Sequence, residues 1–221
     1  ERRRLLRLLA LHPGNELDAW AGAVLAGLEV DDARAHLDRL VTDNLLRRTT
    51  PGRYAFHDLV RAFAHDRTKS EDRLAERRTA ITRLVDHYVM TSASAMDLVV
   101  PAERDRRPNV RRTGLAKPLA DAQDAQGWLD TERSNLVAVA LRADDRQKVL
   151  LAATLFRYLD TGGHYSEAMT LHQQARQAAR QIGDKAAEAN ALTNLGVVHW
   201  RHGRHGVAAD LQHQAIELAQ T

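Results

Sequence analysis

Apolar side chains recur at intervals of three and four positions along most of the chain, which is the pattern of amphipathic helices. A basic, leucine-rich stretch opens the chain, and His12-Pro13-Gly14 marks its end. The pattern predicts helices at residues 2–11, 17–26, 31–43, 71–96 and 124–143, of which the first is this leucine-rich stretch. Aromatic residues make up only 5% of the chain, and glycine and proline are few. The predicted fold is therefore mainly α.

The helical period is interrupted after the third predicted helix. Residues 45–48 and 53–56 are short strand-like runs, and Thr49-Thr50-Pro51-Gly52 between them favours a turn. Three helices followed by a two-stranded wing describe a winged helix-turn-helix domain. We place this predicted domain at residues 1–68.

A winged helix commonly places its third helix in the major groove of DNA. The charge of this third helix opposes that function, because phosphate contacts dominate the affinity for DNA and need cations. Aspartates outnumber arginines here, at Asp31, Asp32, Asp38 and Asp43 against Arg34 and Arg39. Direct DNA contact is not expected, and a DNA-binding winged helix is kept as the alternative.

The last part of the chain repeats itself with an offset of 40 positions, as Ala168 and Ala208 illustrate. The other pairs include Leu155 with Leu195, Gly163 with Gly203, Leu171 with Leu211, and Ala175 with Ala215. A fixed period of this size indicates helical hairpins stacked into a solenoid. Gly196 and Ala208 are predicted to let two helices approach closely, and Phe156 falls where the second repeat has Gly196. The segment resembles a tetratricopeptide repeat of the longer type.

One face of the second repeat's first helix is a candidate partner-binding surface. Asn190, Asn194, Val197 and Arg201 follow each other at helical spacing, opposite the apolar face. In repeats of this kind, this face lines the concave groove. An asparagine there can hold a peptide backbone, and an arginine can pair with a carboxylate. An ordinary solvated polar face is the other interpretation.

Four histidines near the end of the chain raise the question of a metal site. His199, His202, His205 and His213 would have to converge on one ion. Two of them, His199 and His205, occupy positions that aromatic residues usually fill in such repeats, so we expect packing and no metal. The chain has no cysteine, and no motif of a hydrolase or a zinc enzyme is visible.

Phe56-His57-Asp58 follows the wing directly and opens the next helix. In one interpretation, Asp58 caps the helix and His57 is a half-buried junction residue. In the other, His57 lies beside a helix N-terminus, where free N–H groups and the helix dipole favour an anion such as phosphate.

A winged helix, Phe-His-Asp at its exit, and long-type repeats together resemble the C-terminal part of STAND-class signalling ATPases with an NB-ARC module. The chain is especially similar to actinobacterial regulators of the Streptomyces antibiotic regulatory protein type. Their Met-His-Asp motif matches Phe56, His57 and Asp58, with Phe replacing Met. The resemblance implies that His57 touches the β-phosphate of ADP. It also implies that the winged helix closes on the nucleotide-binding domain of the same parent chain.

No G-x-x-x-x-G-K-[ST] phosphate loop occurs in the chain. We therefore expect no enzyme activity and no cofactor in this chain, and ATP or ADP with Mg²⁺ in an ATPase parent. The sequence starts at Glu1 without Met and stops at Thr221 within the repeat pattern, so we expect it to be a piece of a longer protein.

The segment between the winged helix and the repeats is predicted as a helical linker at 69–123 with a basic, proline-containing loop. Its cations are Arg104, Arg106, Arg107, Arg111, Arg112 and Lys117. We interpret the loop as a solvated linker, with phosphate or nucleic-acid contact as the alternative. A capping helix and the repeats are predicted for 124–221. With a net charge of +3 and neither a membrane-length apolar run nor a signal peptide, a cytoplasmic location is expected.

These features predict a regulatory or sensor part of a STAND-type ATPase transcriptional regulator. The winged helix would close on ADP, and the repeats would bind a protein or peptide partner. Two alternatives stay open at this point. One is a transcription factor that binds DNA through its winged helix and senses a ligand through its repeats, and the other is a plain scaffold.

Overall fold

The computed structural model describes residues 2–111 and 114–220 and confirms a mainly α fold. Its helices are α1 Arg2–Leu9, α2 Ala19–Ala26, α3 Val30–Thr42, α4 Asp58–Glu71, α5 Leu74–Val99, α6 Ala122–Ala140, α7 Asp145–Thr161, α8 Tyr165–Ile182, α9 Lys185–Arg201 and α10 His205–Ala219. Its strands are β1 Glu16–Asp18, β2 Leu46–Arg48 and β3 Arg53–Phe56. A short 3-10 helix covers Pro101–Arg106. None of the described helices is long and apolar enough to cross a membrane.

The described residues form two compact units. The first consists of residues 2–88 with 114–117, and the second of residues 89–111 with 118–220. The predicted linker at 69–123 therefore contributes residues to both units.

The first unit contains the three helices and the hairpin that the sequence pattern predicted as a winged helix. Its three-stranded sheet is antiparallel in the order β1-β3-β2, with Leu17 opposite Tyr54 and Arg47 opposite Ala55. The predicted hairpin is confirmed, but strand β1 was not predicted. The prediction of a helix from residue 17 was wrong by two positions, because Asp18 caps α2 by accepting a hydrogen bond from the Ala21 N–H at 2.9 Å.

Leucines from the first and third helices form the core of the first unit. Leu8, Leu9 and Leu37 are buried. Gly22 of α2 lies among them, and a methyl group on it would come within 3.2 Å of the Leu37 side chain. The absence of a side chain at Gly22 thus lets α2 pack closely on α3.

The end of the basic loop returns to the first unit. Lys117 Nζ donates a hydrogen bond to Asp18 Oδ2 at 3.0 Å, and His87 Nδ1 lies 2.7 Å from the Leu115 carbonyl oxygen. In the second unit, Arg107 donates to Asp97 at 2.9 Å. The interpretation of a fully solvated linker is therefore wrong for Lys117 and Arg107, because acidic side chains already hold them. Arg112 lies outside the described residues.

The second unit contains two antiparallel helical hairpins, α7 with α8 and α9 with α10. Gly183 ends α8 in the left-handed conformation with φ 71°, and Asp184 caps α9 by accepting from the Ala187 N–H. The predicted boundary between repeats is thus confirmed. Gly203 also has a left-handed φ of 71° and turns the chain between α9 and α10, as predicted.

Two other predicted helices have shifted limits. Helix α5 starts at Leu74, because Glu71 belongs to the end of α4 and Asp72 has extended backbone angles. Helix α6 starts at Ala122, because Asp121 caps it by accepting from the Asp124 N–H at 2.9 Å. The end of α4 therefore decides where α5 starts, and capping decides where α6 starts.

Truncating Leu37 should destabilise the first unit. We expect Leu37→Ala to lower the free energy of unfolding by about 2–5 kcal/mol, because it leaves a cavity among α1, α2 and α3. Arg39→Ala on the exposed side of the same helix is the matched control and should change it by no more than about 0.5 kcal/mol. Urea denaturation followed by circular dichroism measures both, and equal effects would contradict this description of the core.

Candidate functional site

His57 occupies the N-cap position of α4, immediately after β3. Its backbone is extended, and its side chain makes no capping hydrogen bond. Phe56 is buried in the sheet, whereas His57 and Asp58 are exposed. The interpretation in which Asp58 caps the helix and His57 is half-buried was therefore wrong, because the chain leaves the sheet at His57 and Asp58 already lies in the first turn. The first N–H groups of α4 and the imidazole thus share one exposed end of the helix.

Next to His57, α4 presents an apolar stripe to its surroundings. Leu59 is 86% exposed and Phe63 is 58% exposed, and the Arg67 guanidinium lies 5.2 Å from the Phe63 ring. These three residues follow at intervals of four and share one face of the helix. Large apolar side chains exposed together are typical of interaction surfaces.

The opposite side of α4 is anchored to the rest of its unit. Arg61 donates to the His12 carbonyl oxygen at 2.7 Å, and the Thr68 hydroxyl donates to the Arg7 carbonyl oxygen at 2.8 Å. Arg7 in turn forms two hydrogen bonds with Asp72, at 2.8 and 2.9 Å. The position of His57 is therefore fixed by a helix held at both ends.

The helix α3 and the wing are joined by an acidic side chain. Asp38 accepts hydrogen bonds from Arg48 at 2.6 Å and from the Tyr54 hydroxyl at 2.7 Å. Burial and the Asp38 carboxylate raise the pKa of Tyr54 to about 12. The hydrogen bond from Tyr54 and the neighbouring Arg48 lower the pKa of Asp38. Arg48 of the wing is thus engaged by α3 itself.

In the second unit, a pocket of about 330 Å³ lies between α7, α8 and α9. Most of its lining is apolar and small, and includes Pro108, Val149, Leu150, Ala152, Ala153, Ala175, Ala186, Ala187 and Ala191. The polar groups that line it are His172, Asp184, Asn190 and Asn194. The pocket thus combines an alanine-rich wall with a few polar groups, which is typical of ligand-binding sites.

Two of the four predicted partner-binding residues line this pocket. Asn194 is only 7% exposed and donates its side-chain N–H to Asn190 Oδ1 at 3.0 Å. Val197 is half-buried outside the pocket. Arg201 pairs with Asp160 of α7 at 3.1 and 3.3 Å. The predicted partner-binding face therefore has two parts. Asn190 and Asn194 line the pocket, whereas Arg201 links α9 to α7.

His172 of α8 belongs to this pocket and was not predicted. Its side chain is fully buried, and neither ring nitrogen has a hydrogen-bond partner among the described residues. Burial lowers its pKa to about 4, so the imidazole is neutral at pH 7. The ring meets Phe156 of α7 edge to face, with centroids 5.8 Å apart.

The 40-residue period contains the signal that could have identified His172. Phe156 and His172 correspond to Gly196 and Gln212 in the second repeat. There, a methyl group on Gly196 would lie 2.6 Å from the Gln212 amide, which donates to the Thr193 carbonyl oxygen. The two positions are in contact in both repeats. The first repeat has Phe156 where the second has glycine, and it also has His172 where the second has glutamine.

The four C-terminal histidines are separate in the structure. His199 is half-buried, and burial lowers its pKa. His202 contacts the Tyr165 ring and His205 contacts the Trp200 ring, while His213 is exposed. Within residues 2–111 and 114–220, no group of three or more His, Asp or Glu residues could hold a metal ion.

The repeat geometry agrees with a known family of helical repeats. Residues 161–221 match the family model of the tetratricopeptide repeat. This match covers the second repeat and the second helix of the first, and it supports tetratricopeptide repeats in this part of the chain.

Over nearly all its length, the chain is similar to two bacterial proteins named Regulatory protein AfsR. The protein from Streptomyces griseus is 33% identical over 221 residues, which are 97% of this chain and 22% of the relative. The protein from Streptomyces coelicolor is 29% identical over 226 residues, covering 98% of this chain and 23% of the relative. The chain thus spans less than a quarter of the length of these relatives. No solved structure matches it.

Acid should destabilise the folded chain through His172. The unfolded imidazole takes up a proton near pH 6.5, whereas the folded one stays neutral down to about pH 4, so stability falls as the pH is lowered between these values. We expect His172→Phe to remove up to roughly 3 kcal/mol of this pH dependence, at about 1.4 kcal/mol per pKa unit. Urea unfolding at several pH values measures it, with exposed His213→Phe as the control. An unchanged slope for His172→Phe would show that His172 is not buried as a neutral group.

Proposed function

We propose that this chain is the regulatory part of a STAND-type ATPase transcriptional regulator. Its winged helix closes on ADP held by the nucleotide-binding domain of the parent, and its repeats bind a protein or peptide partner. The similarity to two proteins named Regulatory protein, together with the tetratricopeptide repeats, supports a regulator. This chain itself has no phosphate loop, so ATP hydrolysis and Mg²⁺ binding belong to the parent.

The exposed end of α4 is the observation that supports the nucleotide role. His57 lies at the helix N-terminus and makes no capping bond of its own, so its imidazole and the first N–H groups of α4 are available to a phosphate. The adjacent Leu59 and Phe63 are exposed and offer an apolar surface to the nucleotide-binding domain. Phosphate binding by His57 and docking of this domain would then occur at one end of one helix.

The pocket between α7 and α9 supports the partner-binding role. Asn190 and Asn194 line it, and their free amide donors and acceptors suit the backbone of an extended peptide. A partner that binds the open state of the parent more tightly would favour opening, whereas ADP at His57 would favour the closed state. Such linkage gives the repeats control over nucleotide retention.

Removing the imidazole of His57 should weaken ADP retention in the intact parent. We expect His57→Ala to raise the Kd for ADP about 10- to 100-fold, because a hydrogen bond to a charged group contributes about 1.5–3 kcal/mol. Calorimetric titration with ADP measures the Kd, and nucleotide released from the purified protein gives the retained amount. His213→Ala changes an exposed histidine of α10 and should have no effect. Unchanged ADP affinity of His57→Ala would remove the nucleotide role.

A DNA-binding winged helix is the competing function, and the exposed Arg47 of the wing is the observation in its favour. Against it, Asp38 holds Arg48, and Asp31 pairs with Arg34 at 2.9 Å. We expect this chain to show no saturable binding to duplex DNA at about 150 mM salt. Fluorescence anisotropy over a range of salt concentrations tests this. Tight binding with a steep salt dependence, lost in Arg47→Ala, would favour the DNA-binding function.

A further inference from the structure

The pocket between α7, α8 and α9 is small for a ligand-binding site. Its volume of about 330 Å³ lies at the lower end of the roughly 300–1,000 Å³ found for small-molecule sites. Alanines such as Ala153 and Ala187 form much of its wall. Such short side chains leave room in the pocket for a long side chain of a bound segment.

The mouth of the pocket carries an amide pair with unused hydrogen-bonding groups. Asn194 donates to Asn190 Oδ1, which leaves the Asn190 N–H₂ donors and the Asn194 carbonyl oxygen without another partner among the described residues. One donor and one acceptor side by side match the N–H and C=O groups of an extended backbone. The mouth is thus suited to the backbone of a peptide.

The floor of the pocket is polar but uncharged. His172 lines it with both ring nitrogens unpaired within the described part of the chain. A neutral imidazole offers one donor and one acceptor. Because the ring has no exposed surface, a side chain that enters the pocket hydrogen-bonds to it only if the ring or its alanine neighbours shift slightly. A long side chain with an amide group has both the reach and the hydrogen-bonding groups.

The charges around the pocket disfavour an anionic side chain. No lysine or arginine is among its lining residues in the described ranges. Its single carboxylate, Asp184, accepts a hydrogen bond from the Ala187 N–H as the cap of α9. A carboxylate entering the pocket would lose its water without meeting a cation, which is strongly unfavourable.

We propose that this pocket selects an uncharged, amide-bearing side chain, such as glutamine, from an extended peptide segment of the partner. Asn190 and Asn194 pair with the backbone of that segment, and the side-chain amide reaches His172. The inference rests on the proposed partner-binding role of the repeats and specifies what they recognise.

Three blocked pentapeptides test this inference, each with acetyl-Ala-Ala before and Ala-Ala-amide after a central residue. The central residue is glutamine, glutamate or leucine, so the first two differ in charge but hardly in shape. Titration of the isotope-labelled chain, followed by NMR, reports the side-chain amides of Asn190 and Asn194 and the ring of His172. We expect saturable shifts with the glutamine peptide and at least fivefold weaker binding of the glutamate and leucine peptides.

Two variants separate the pocket from the rest of the surface. Ala153→Leu fills the pocket and should abolish the shifts, whereas Ala209→Leu on the exposed side of α10 should leave them unchanged. His172→Phe should reduce the glutamine peptide to the affinity of the leucine peptide.

Equal binding of glutamine and glutamate peptides, shifts that persist in Ala153→Leu, or no saturable shift with any peptide would each overturn the inference. These outcomes are independent of ADP retention. If no peptide binds but His57→Ala still weakens ADP binding, only the proposed role of the pocket is overturned. Peptide binding without a His57 effect removes only the nucleotide role.

Discussion

The repeats depend on how closely the two helices of one hairpin approach each other. In the second hairpin, Gly196 of α9 leaves space for the side chain of Gln212 from α10. The Gln212 amide donates a hydrogen bond to the Thr193 carbonyl oxygen of α9. In the first hairpin, the same two positions hold Phe156 and His172, which fill the space with two rings. The replacement of Gly and Gln by Phe and His keeps the helices packed, but it leaves a buried imidazole in the lining of the pocket. One packing contact is thus made by different side chains in the two repeats.

Ion pairs connect α7 and α9, two of the helices that line the pocket. Asp160 of α7 is nearly buried and contacts both Arg157 of its own helix and Arg201 of α9. Arg157 also pairs with Glu103 of the 3-10 helix at 2.6 Å. Because Asp160 is shielded from water, these contacts are screened less than exposed pairs. They fix the far end of α9 relative to α7, whereas the asparagines at the near end keep their hydrogen-bonding groups available.

Much of the fold could be predicted from the sequence, because strong local signals decide it. Apolar periodicity predicted the helices, and Pro51-Gly52 predicted the hairpin. Gly183-Asp184 predicted the boundary between repeats. Strand β1 was missed, since three residues are too few to show an alternating pattern. Its pairing with β3 is a long-range contact, and periodicity does not report such contacts.

The candidate site was predicted only in part, for geometric reasons. Asn190 and Arg201 share a helix face, but the rise of about 1.5 Å per residue separates them by roughly 16 Å, and along α9 the pocket lining ends at Asn194. Periodicity identifies a face but does not show where along it a cavity lies. His172 comes from another helix, so only the comparison of the two repeats position by position could have pointed to it. The exposure of His57 depends on where the chain leaves the sheet, which no local pattern specifies.

The contact between Lys117 and Asp18 determines how this chain can be divided. The two residues are 99 positions apart, and Asp18 caps α2 of the first unit. The chain therefore passes through part of the second unit before it returns to close the first. A gene segment that stops after α5 would encode the helices and the sheet but omit the lysine that neutralises this cap. Protein engineers who transplant the first unit should take both stretches of sequence, since this unit is built from two separate parts of the chain.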